Sequence, residues 1–446
     1  MVICQRLACV LAATLMASGA AAQTPSSPPT SPLAVHLGDT DLRLGGFIDA
    51  VALFRSTNVG SGPATTFGTI PFENTPAGAL SETRFSAQSS RANLLVTTAL
   101  GGAAVKAFLE VDFLGSGPGN AFVYSNSHTL RLRHAWAQYV RGRFDFTGGQ
   151  TWTLLTLNRN GLSPVSADVI TSQNLDPNLQ LGMAWARQMQ FRFVAHASKT
   201  VAAGISLENP QPFVGSAVVL PSSFPAGEVD AGSTPGAPSP YPDIVGKIAF
   251  DPQVGGRHEH VEAGFIVRGF RTYAPASQQT FSATGTGFTA GAVLEPAKNV
   301  RVIASTLISS GGGRYMIGQA PDFMVNADAS LTTIGATSGL LGVEAQVVPS
   351  TLVFGYYGTV HVDRVTSLDG TTPIGYGIDG STAANHTIDE TTVGVNHAIV
   401  RDATRGALQA IVQYSYLTRS PWSVPAATPD SAHVNMVYVS VRYVLP

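Results

Sequence analysis

Short stretches in which apolar residues alternate with polar or small ones run through most of this chain, from Leu42 to the C-terminus. In residues 105–113 the odd positions are apolar, whereas the even positions include Lys106, Glu110 and Asp112. The same pattern recurs in residues 261–270, 408–416 and 437–445. An alternation with a period of two predicts β-strands whose two faces meet different surroundings. No amphipathic helix pattern of comparable length competes with it, so an all-β fold is expected.

The composition excludes several other classes of protein. Charged residues make up 12% of the 446 residues, about half of the roughly 25% that is usual in soluble domains. The formal net charge of −2 gives no basic excess for nucleic acid, which is therefore not an expected partner. Many large apolar side chains, including 21 phenylalanines, argue against disorder. After the first 22 residues no apolar run has the 18 or more residues that a spanning helix needs.

The N-terminus predicts export. Residues 1–22 have the form of a secretory signal peptide, with Arg6 before an apolar core and an Ala-rich cleavage site before Gln23. Both cysteines, Cys4 and Cys9, lie inside this segment, so the exported chain would contain no disulfide. Residues 23–40 are predicted to form a flexible Pro/Ser-rich leader, and residues 41–446 one β domain.

An exported chain of this kind can be a soluble β-sandwich or a transmembrane antiparallel β-barrel. The scarcity of charge and the length favour the barrel, because a mature chain of about 420 residues, at roughly 25 per strand and connection, gives about 16 strands (16 to 18). Long irregular stretches alternate with short turns, as the external loops and periplasmic turns of outer-membrane barrels do. Aromatic residues are predicted to form interfacial girdles at strand ends: Trp136, Tyr139, Trp152, Tyr416, Trp422 and Tyr443.

Arginine dominates the charged residues, with 22 arginines to 4 lysines, and residues 84–192 hold ten cations against five anions. Arg131 and Arg133 alternate with leucines, so both guanidiniums share one face of a strand. A charge facing lipid costs about 2–4 kcal/mol, which predicts that these side chains face the lumen. There they would filter anions, or else pair with carboxylates such as Asp145 and stiffen the wall. The candidate pore-lining residues are Arg84, Arg91, Lys106, Glu110, Asp112, Arg131, Arg133, Arg187 and Arg192.

One long segment, residues 158–181, could fold back and narrow a channel, or could be an ordinary surface loop. Signals for catalysis are weak. His258 and His260 lack the spacing of a helical zinc site, and no G-x-S-x-G nucleophile elbow is present. No catalytic residue, cofactor or metal is therefore predicted, and the chain is not expected to be an enzyme.

Four motifs in order also resemble the DcaP-like outer-membrane porins of Gram-negative bacteria: residues 84–91 (RFSAQSSR), 130–136 (LRLRHAW), 148–153 (GGQTWT) and 187–192 (RQMQFR). The resemblance implies a 16-stranded trimeric channel for small anionic solutes such as dicarboxylates and aromatic acids. It also implies that Arg91, Arg131, Arg133, Arg187 and Arg192 line the constriction. Two features depart from the family: a Pro-rich leader replaces its helical N-terminal extension, and the chain ends in Pro446 rather than an aromatic residue.

These observations predict a passive porin of the Gram-negative outer membrane, whose partners are membrane lipid, small anionic solutes and two further copies of the chain. Two alternatives stay open from the sequence. One is an outer-membrane barrel with an adhesive or structural role, carried by its long loops. The other is a secreted β-sandwich hydrolase.

Overall fold

A computed structural model describes residues 33–60, 62–117, 128–164, 169–174, 179–229 and 238–446. The predicted signal peptide and residues 23–32 of the leader lie outside the described residues. Within the described ranges the chain forms almost entirely β-structure, with four helical turns of three or four residues. No helix in these ranges has the length and apolar character needed to cross a membrane.

The strands form a closed antiparallel barrel of sixteen strands. Each strand pairs with its neighbour in sequence, and residues 47–55 of the first strand pair with residues 436–444 of the last. The second strand is interrupted between Ser86 and Arg91. In chain order the strands are Thr40–Arg55, Glu82–Ser86 with Arg91–Leu100, Ala103–Asp112, Arg131–Arg141, Phe144–Trp152, Arg187–His196, Val201–Glu208, Asp243–Phe250, His260–Ala274, Gln279–Ala297, Val300–Ser310, Gly335–Val348, Thr351–Val362, Asn385–Asp402, Gly406–Pro421 and Ala432–Val444.

Smaller elements are not part of the barrel wall. Ala34–Leu37 pairs with the start of the first strand, so this part of the leader is a strand, where a flexible spacer was predicted through residue 40. Helical turns are Phe67–Thr69, Pro76–Ala79, Ala226–Glu228 and Gly313–Tyr315. Short strands in the connections are Val218–Val219, Val365–Asp369 and Thr372–Tyr376 in one sheet, Gln253–Val254 with Arg257–His258, and Phe323–Val325 with Leu331–Thr333.

The predicted alternation separates the two surfaces of the barrel. In the strand His260–Ala274, Glu262 and Arg268 point inward and are buried, whereas Val261 and Phe265 point outward and are exposed. An outer surface covered with apolar side chains is suited to lipid, and a polar inner wall to water or polar loops. The closed barrel confirms the predicted fold class and shows that the β-sandwich architecture of the hydrolase alternative was wrong.

The aromatic girdle prediction is only partly correct. Tyr139, Tyr416 and Tyr443 are exposed on the outer surface, as expected. Trp136 and Trp152 are instead buried. Trp136 shares the inward phase of Gln138, and Trp152 is the last residue of its strand, where the chain enters the connection to the next strand. Alternation in a single strand does not reveal which face meets lipid when an aromatic ring fits either one.

Connections differ strongly between the two ends of the barrel. One end carries tight turns such as Gly101–Gly102, whose φ angles of 59° and 77° favour glycine. The other end carries most of the long connections, including residues 56–81, 153–186, 209–242 and 311–334. Apolar side chains from these connections pack against the inner wall in a buried cluster that includes Phe67, Leu154, Leu181, Tyr315 and Phe323. The core of the molecule therefore lies inside the barrel.

Candidate functional site: the lumen and its inward loop

Residues 153–186, named here the lumen loop, leave the strand Phe144–Trp152 and cross the inside of the barrel. Near the start of the loop, the Leu154 N–H donates to Glu208 Oε1 at 2.9 Å, and the Asn158 N–H donates to Glu262 Oε2 at 3.3 Å. Both glutamates point inward from the wall and are buried. Carboxylates on the wall thus satisfy backbone donors that would otherwise be buried without partners.

The end of the loop binds the opposite wall. The Gln173 N–H donates to Gln413 Oε1 at 2.9 Å, and the Leu181 N–H donates to Glu390 Oε2 at 2.9 Å. Because Glu208 and Glu390 lie on widely separated strands, the loop spans the lumen. The structure confirms that residues 158–181 fold back into the barrel, as far as they are described.

A close backbone contact fixes the loop against the wall. A Cβ atom at Gly358, on the strand Thr351–Val362, would lie 1.8 Å from the carbonyl oxygen of Leu181. Gly182 makes a matching contact, since a Cβ there would lie 2.0 Å from the carbonyl oxygen of Gly339. Only glycine lets the two backbones approach this closely.

Four buried arginines bind loop carbonyls. Each guanidinium presents several N–H donors in a plane, and irregular loops leave carbonyl groups that need such donors. Arg55 binds the carbonyls of Gly62 and Pro63, Arg192 those of Trp152 and Leu162, Arg268 those of Gln211 and Gly311, and Arg419 those of Ile70 and Thr382. Part of the arginine excess in the sequence is therefore used to hold loops inside the barrel.

We expect Arg192→Gln to loosen the start of the lumen loop. The substitution removes donors to the carbonyls of Trp152 (2.7 Å) and Leu162 (3.3 Å), and hydrogen bonds of this charged kind are worth about 1.5–3 kcal/mol. Amide exchange in residues 153–164 should become faster by roughly ten-fold or more, since 1.4 kcal/mol is a factor of ten. Arg401→Gln, at an exposed strand end, is the control. Equal exchange in native and Arg192→Gln protein would contradict the anchoring role.

Tyr315 binds a second inward connection, residues 311–334, to the barrel wall. Its hydroxyl donates to Asp243 Oδ2 at 2.9 Å. Asp243 also accepts from Arg268 at 2.9 Å, and Arg268 pairs with Asp322 at 2.6 Å. Burial, together with the nearby carboxylates, raises the pKa of the Tyr315 phenol well above its usual range. The phenol therefore stays protonated and donates a hydrogen bond at any physiological pH.

A second group of charges, named here the charged belt, crosses neighbouring strands on the other side of the lumen. Arg133 binds Glu110 through Nε at 2.7 Å and Asp112 through Nη1 at 3.0 Å, while Arg131 binds both oxygens of Asp112 at 2.9 and 2.6 Å. The belt consists of Asp49, Arg91, Glu110, Asp112, Arg131, Arg133 and Arg442.

Local irregularities turn the belt residues inward. The register of the pair Ala103–Asp112 and Arg131–Arg141 shifts after Glu110, which leaves Arg133 as the extra residue of a β-bulge. Arg133 and His134 are consequently both buried in the lumen. On the interrupted strand, Arg91 lies 5.3 Å from the centre of the Phe47 ring, and Arg442 lies 4.1 Å from the same ring.

In several ion pairs of the lumen, the side chain of the arginine is more exposed than that of its carboxylate partner. The side chain of Arg131 is 30% exposed and that of Asp112 is 0% exposed, and Arg84 is 36% exposed against 8% for its partner Glu82. Arg301 repeats the pattern, at 34% against 1% for Glu344. In these three pairs the guanidinium faces the solvent-filled space and the carboxylate lies beneath it. Three other pairs have the reverse order, because the cation is more buried than the carboxylate: Arg55–Glu82, Arg133–Glu110 and Lys247–Glu262.

The other predicted site residues occupy different positions. Lys106 shares the inward phase of Glu110 and Asp112. Arg187 is the first residue of its strand and lies 5.5 Å from the ring of Trp185. Arg192 is buried under the lumen loop, so the structure separates it from the belt residues.

Sequence reasoning missed Arg301, which contacts Glu344. Arg159, one of the ten cations in residues 84–192, contacts the same carboxylate. Arg301 lies outside residues 84–192, the region in which cations outnumber anions. Arg301 points inward and lies opposite Glu344 on the neighbouring strand. Knowledge of this strand pairing would have identified it as a candidate.

His260 has a structural partner on each side. It contacts Asp251 at 2.8 Å and Glu262 at 3.0 Å. In the part of the chain that the structure describes, no group of three or more His, Cys, Asp or Glu residues is arranged to hold a metal ion. The expected absence of a metal and of a cofactor stays a prediction.

Comparison with known proteins supports the class that this architecture defines. No model of a protein family matches the sequence, and no curated protein matches it. Among solved structures, the outer-membrane channel DcaP of Acinetobacter baumannii matches with a TM-score of 0.65 and 18% identity, over 91% of this chain and 97% of that one. OmpT of Vibrio cholerae matches with a TM-score of 0.49 and 11% identity, over 92% and 99%.

The chain therefore has the fold of an outer-membrane channel. Its apolar outer surface and closed barrel agree with the outer-membrane localisation predicted from the sequence. The DcaP channel shares this fold, so the resemblance to DcaP-like porins is confirmed at the level of the fold.

Proposed function

We propose that this protein is a porin, a passive diffusion channel that prefers small anionic solutes. The observation that carries the proposal is the unequal exposure of the lumen ion pairs: Arg84, Arg131 and Arg301 are accessible while their carboxylate partners are buried. A solute in the lumen meets the cation of each pair first. A wall with this charge arrangement concentrates anions and repels cations.

The chemistry of the accessible groups indicates the class of solute. A guanidinium is permanently charged and its planar fork matches a carboxylate. Dicarboxylates and aromatic acids, which the family resemblance implies, carry that group. Diffusion down a gradient requires no cofactor and no catalytic residue.

The inward packing of the long connections bears on the adhesive alternative. The lumen loop binds the wall through Glu208 and Glu390, and residues 311–334 bind it through Arg268 and Tyr315. Apolar side chains of these connections are buried inside the barrel. Segments used in this way offer less surface to an external partner, which favours the channel.

The proposal is tested by solute entry into vesicles that contain the refolded mature protein. Three solutes of similar size differ in charge: gluconate is an anion, glucose is neutral and glucosamine is a cation. We expect swelling rates in the order gluconate, glucose, glucosamine. Fastest entry of glucosamine would contradict the anion preference. No entry of any solute through correctly folded barrels would contradict the channel and favour the adhesive role.

Assembly is a second part of the proposal. A homotrimer in outer-membrane lipid is expected from the resemblance to trimeric porins. Native mass spectrometry of the detergent-solubilised mature protein should give a mass three times that of one chain. A single-chain mass under conditions that keep the barrel folded would contradict the trimer.

A further inference from the structure

The start of the lumen loop is held by two wall carboxylates that share one histidine. The Asn158 N–H donates to Glu262 Oε2 at 3.3 Å, and the Gly161 N–H lies 3.2 Å from both oxygens of Asp251. His260 lies between the two carboxylates, with Nδ1 2.8 Å from Asp251 Oδ1 and Nε2 3.0 Å from Glu262 Oε2. One imidazole ring therefore connects two anchors of the loop.

The contacts of both ring nitrogens fit the protonated form of His260. An ionised carboxylate only accepts hydrogen bonds, a neutral imidazole has one N–H, and an imidazolium has two. A neutral ring would therefore turn one nitrogen lone pair toward a carboxylate oxygen. The ring is fully buried, so bulk water does not replace the missing donor.

The charges around this ring balance only when it carries a proton. Lys247 Nζ donates to Glu262 Oε1 and also to the carbonyl of Thr156, at 2.7 Å, which adds a third contact with the loop. Asp251, His260, Glu262 and Lys247 are named here the histidine clamp. Two carboxylates, one ammonium and one imidazolium sum to zero, whereas a neutral imidazole leaves a net negative charge. An uncompensated charge in a buried site is strongly unfavourable.

Charged groups also face the clamp from the preceding connection and from the two preceding strands: His258, Arg192 and Glu208. Arg192 and Glu208 carry opposite charges, so together they leave the balance of the clamp unchanged. His258 Nε2 lies 3.6 Å from Asp251 Oδ1, beyond hydrogen-bond distance, and its side chain is 40% exposed. On the following strand, the residue opposite His260 is the apolar Val293. The protonation of His260 therefore decides the net charge of the clamp.

We propose that the histidine clamp makes docking of the lumen loop depend on pH. While His260 is protonated, both carboxylates are fixed and the start of the loop is held against the wall. As the pH rises and the ring loses its proton, one carboxylate loses its donor, and residues 156–161 leave the wall more often. Release of the loop widens the lumen. This consequence for solute passage rests on the proposed function, whereas the docking equilibrium does not.

Hydrogen exchange of the folded mature protein in detergent tests the clamp, between about pH 5.5 and about pH 9.5, a range that spans the titration of histidine. Rates are expressed relative to an unstructured peptide at the same pH, which removes the base catalysis of exchange itself. We expect the protection of residues 153–164 in the native protein to fall about ten-fold or more from the lower to the higher pH.

Three variants separate a proton-dependent clamp from a merely structural contact. His260→Gln donates from one nitrogen only, so its protection should already be low at the lower pH and should not change with pH. Asp251→Asn removes one carboxylate, so a neutral ring balances the charges, and protection should persist at the higher pH. His258→Gln, the matched control, should keep the native protection and its pH dependence.

The outcomes separate this inference from the proposed function. Constant protection across the pH range in the native protein, or the same pH dependence in His260→Gln and native protein, would overturn the clamp. Heat-modifiable migration of each variant checks that its barrel has folded, and the native profile decides the matter if a variant does not fold. In vesicles, glucose should enter faster at the higher pH. pH-dependent protection in a protein that admits no solute at either pH would support the clamp while contradicting the channel.

Discussion

A Gly358→Val channel should conduct more ions than the native channel. The new side chain would begin 1.8 Å from the Leu181 carbonyl oxygen and 2.5 Å from its carbon, so the lumen loop must move away from the wall. Overpacking of this kind costs about 1–3 kcal/mol, which shifts the docked population of the loop by roughly five- to 150-fold. Single-channel recording in a planar bilayer measures the effect as a higher mean conductance with larger current noise.

Gly355→Val is the matched control for this prediction. Gly355 lies on the same strand, and a Cβ atom there would meet its nearest neighbours at 3.8 Å, which is ordinary contact. Its channel should keep the native conductance. If the Gly358→Val channel conducted like the control, the lumen loop would not be the element that narrows the channel.

Neutralising two exposed guanidiniums, in the double variant Arg84→Gln and Arg131→Gln, should weaken anion selectivity. Both side chains are about one-third exposed, and Asp112 keeps its second partner, Arg133, at 3.0 Å. A charge some 8 Å from a passing ion contributes about 0.5 kcal/mol in water before salt screening. Removing two such charges should lower the chloride-to-potassium permeability ratio about three-fold, read from the reversal potential.

Arg364→Gln and Arg405→Gln form the control pair for the selectivity measurement. Arg364 pairs with the exposed Asp379 in a connection between strands, and Arg405 lies in the turn after Asp402. Their loss removes the same amount of charge from outside the belt. A control pair that changed the permeability ratio as much as the Arg84 and Arg131 double variant would show that total charge, rather than the position of these two guanidiniums, sets selectivity.

The barrel could be predicted from the sequence because its cause is local. Lipid on one side and a polar lumen on the other impose a period of two on each strand, as in residues 105–113, and that period is visible in one segment at a time. The inward face of Arg131 beside Leu132 followed from this rule. Trp136 and Trp152 did not follow, because an aromatic ring is compatible with lipid and with a packed interior.

The roles of the arginines depended on contacts that no single segment reveals. Arg192 was predicted to line the constriction, and whether it touches solutes is untested, but it binds carbonyls of the lumen loop. The β-bulge at Arg133 arises from the pairing of two strands. Arg301 is identified as a candidate by its position opposite Glu344 on the neighbouring strand. These contacts join residues far apart in sequence, so sequence periodicity carries no information about them.

The central claim is that the accessible charge of the lumen is cationic because buried carboxylates lie beneath exposed guanidiniums. The most direct test is the reversal potential of the native channel in a planar bilayer under a potassium chloride gradient. The account predicts a sign that shows chloride to be the more permeant ion, with a magnitude that falls as salt screens the wall charges. A reversal potential of the opposite sign, from steady channels of the folded barrel, would contradict it.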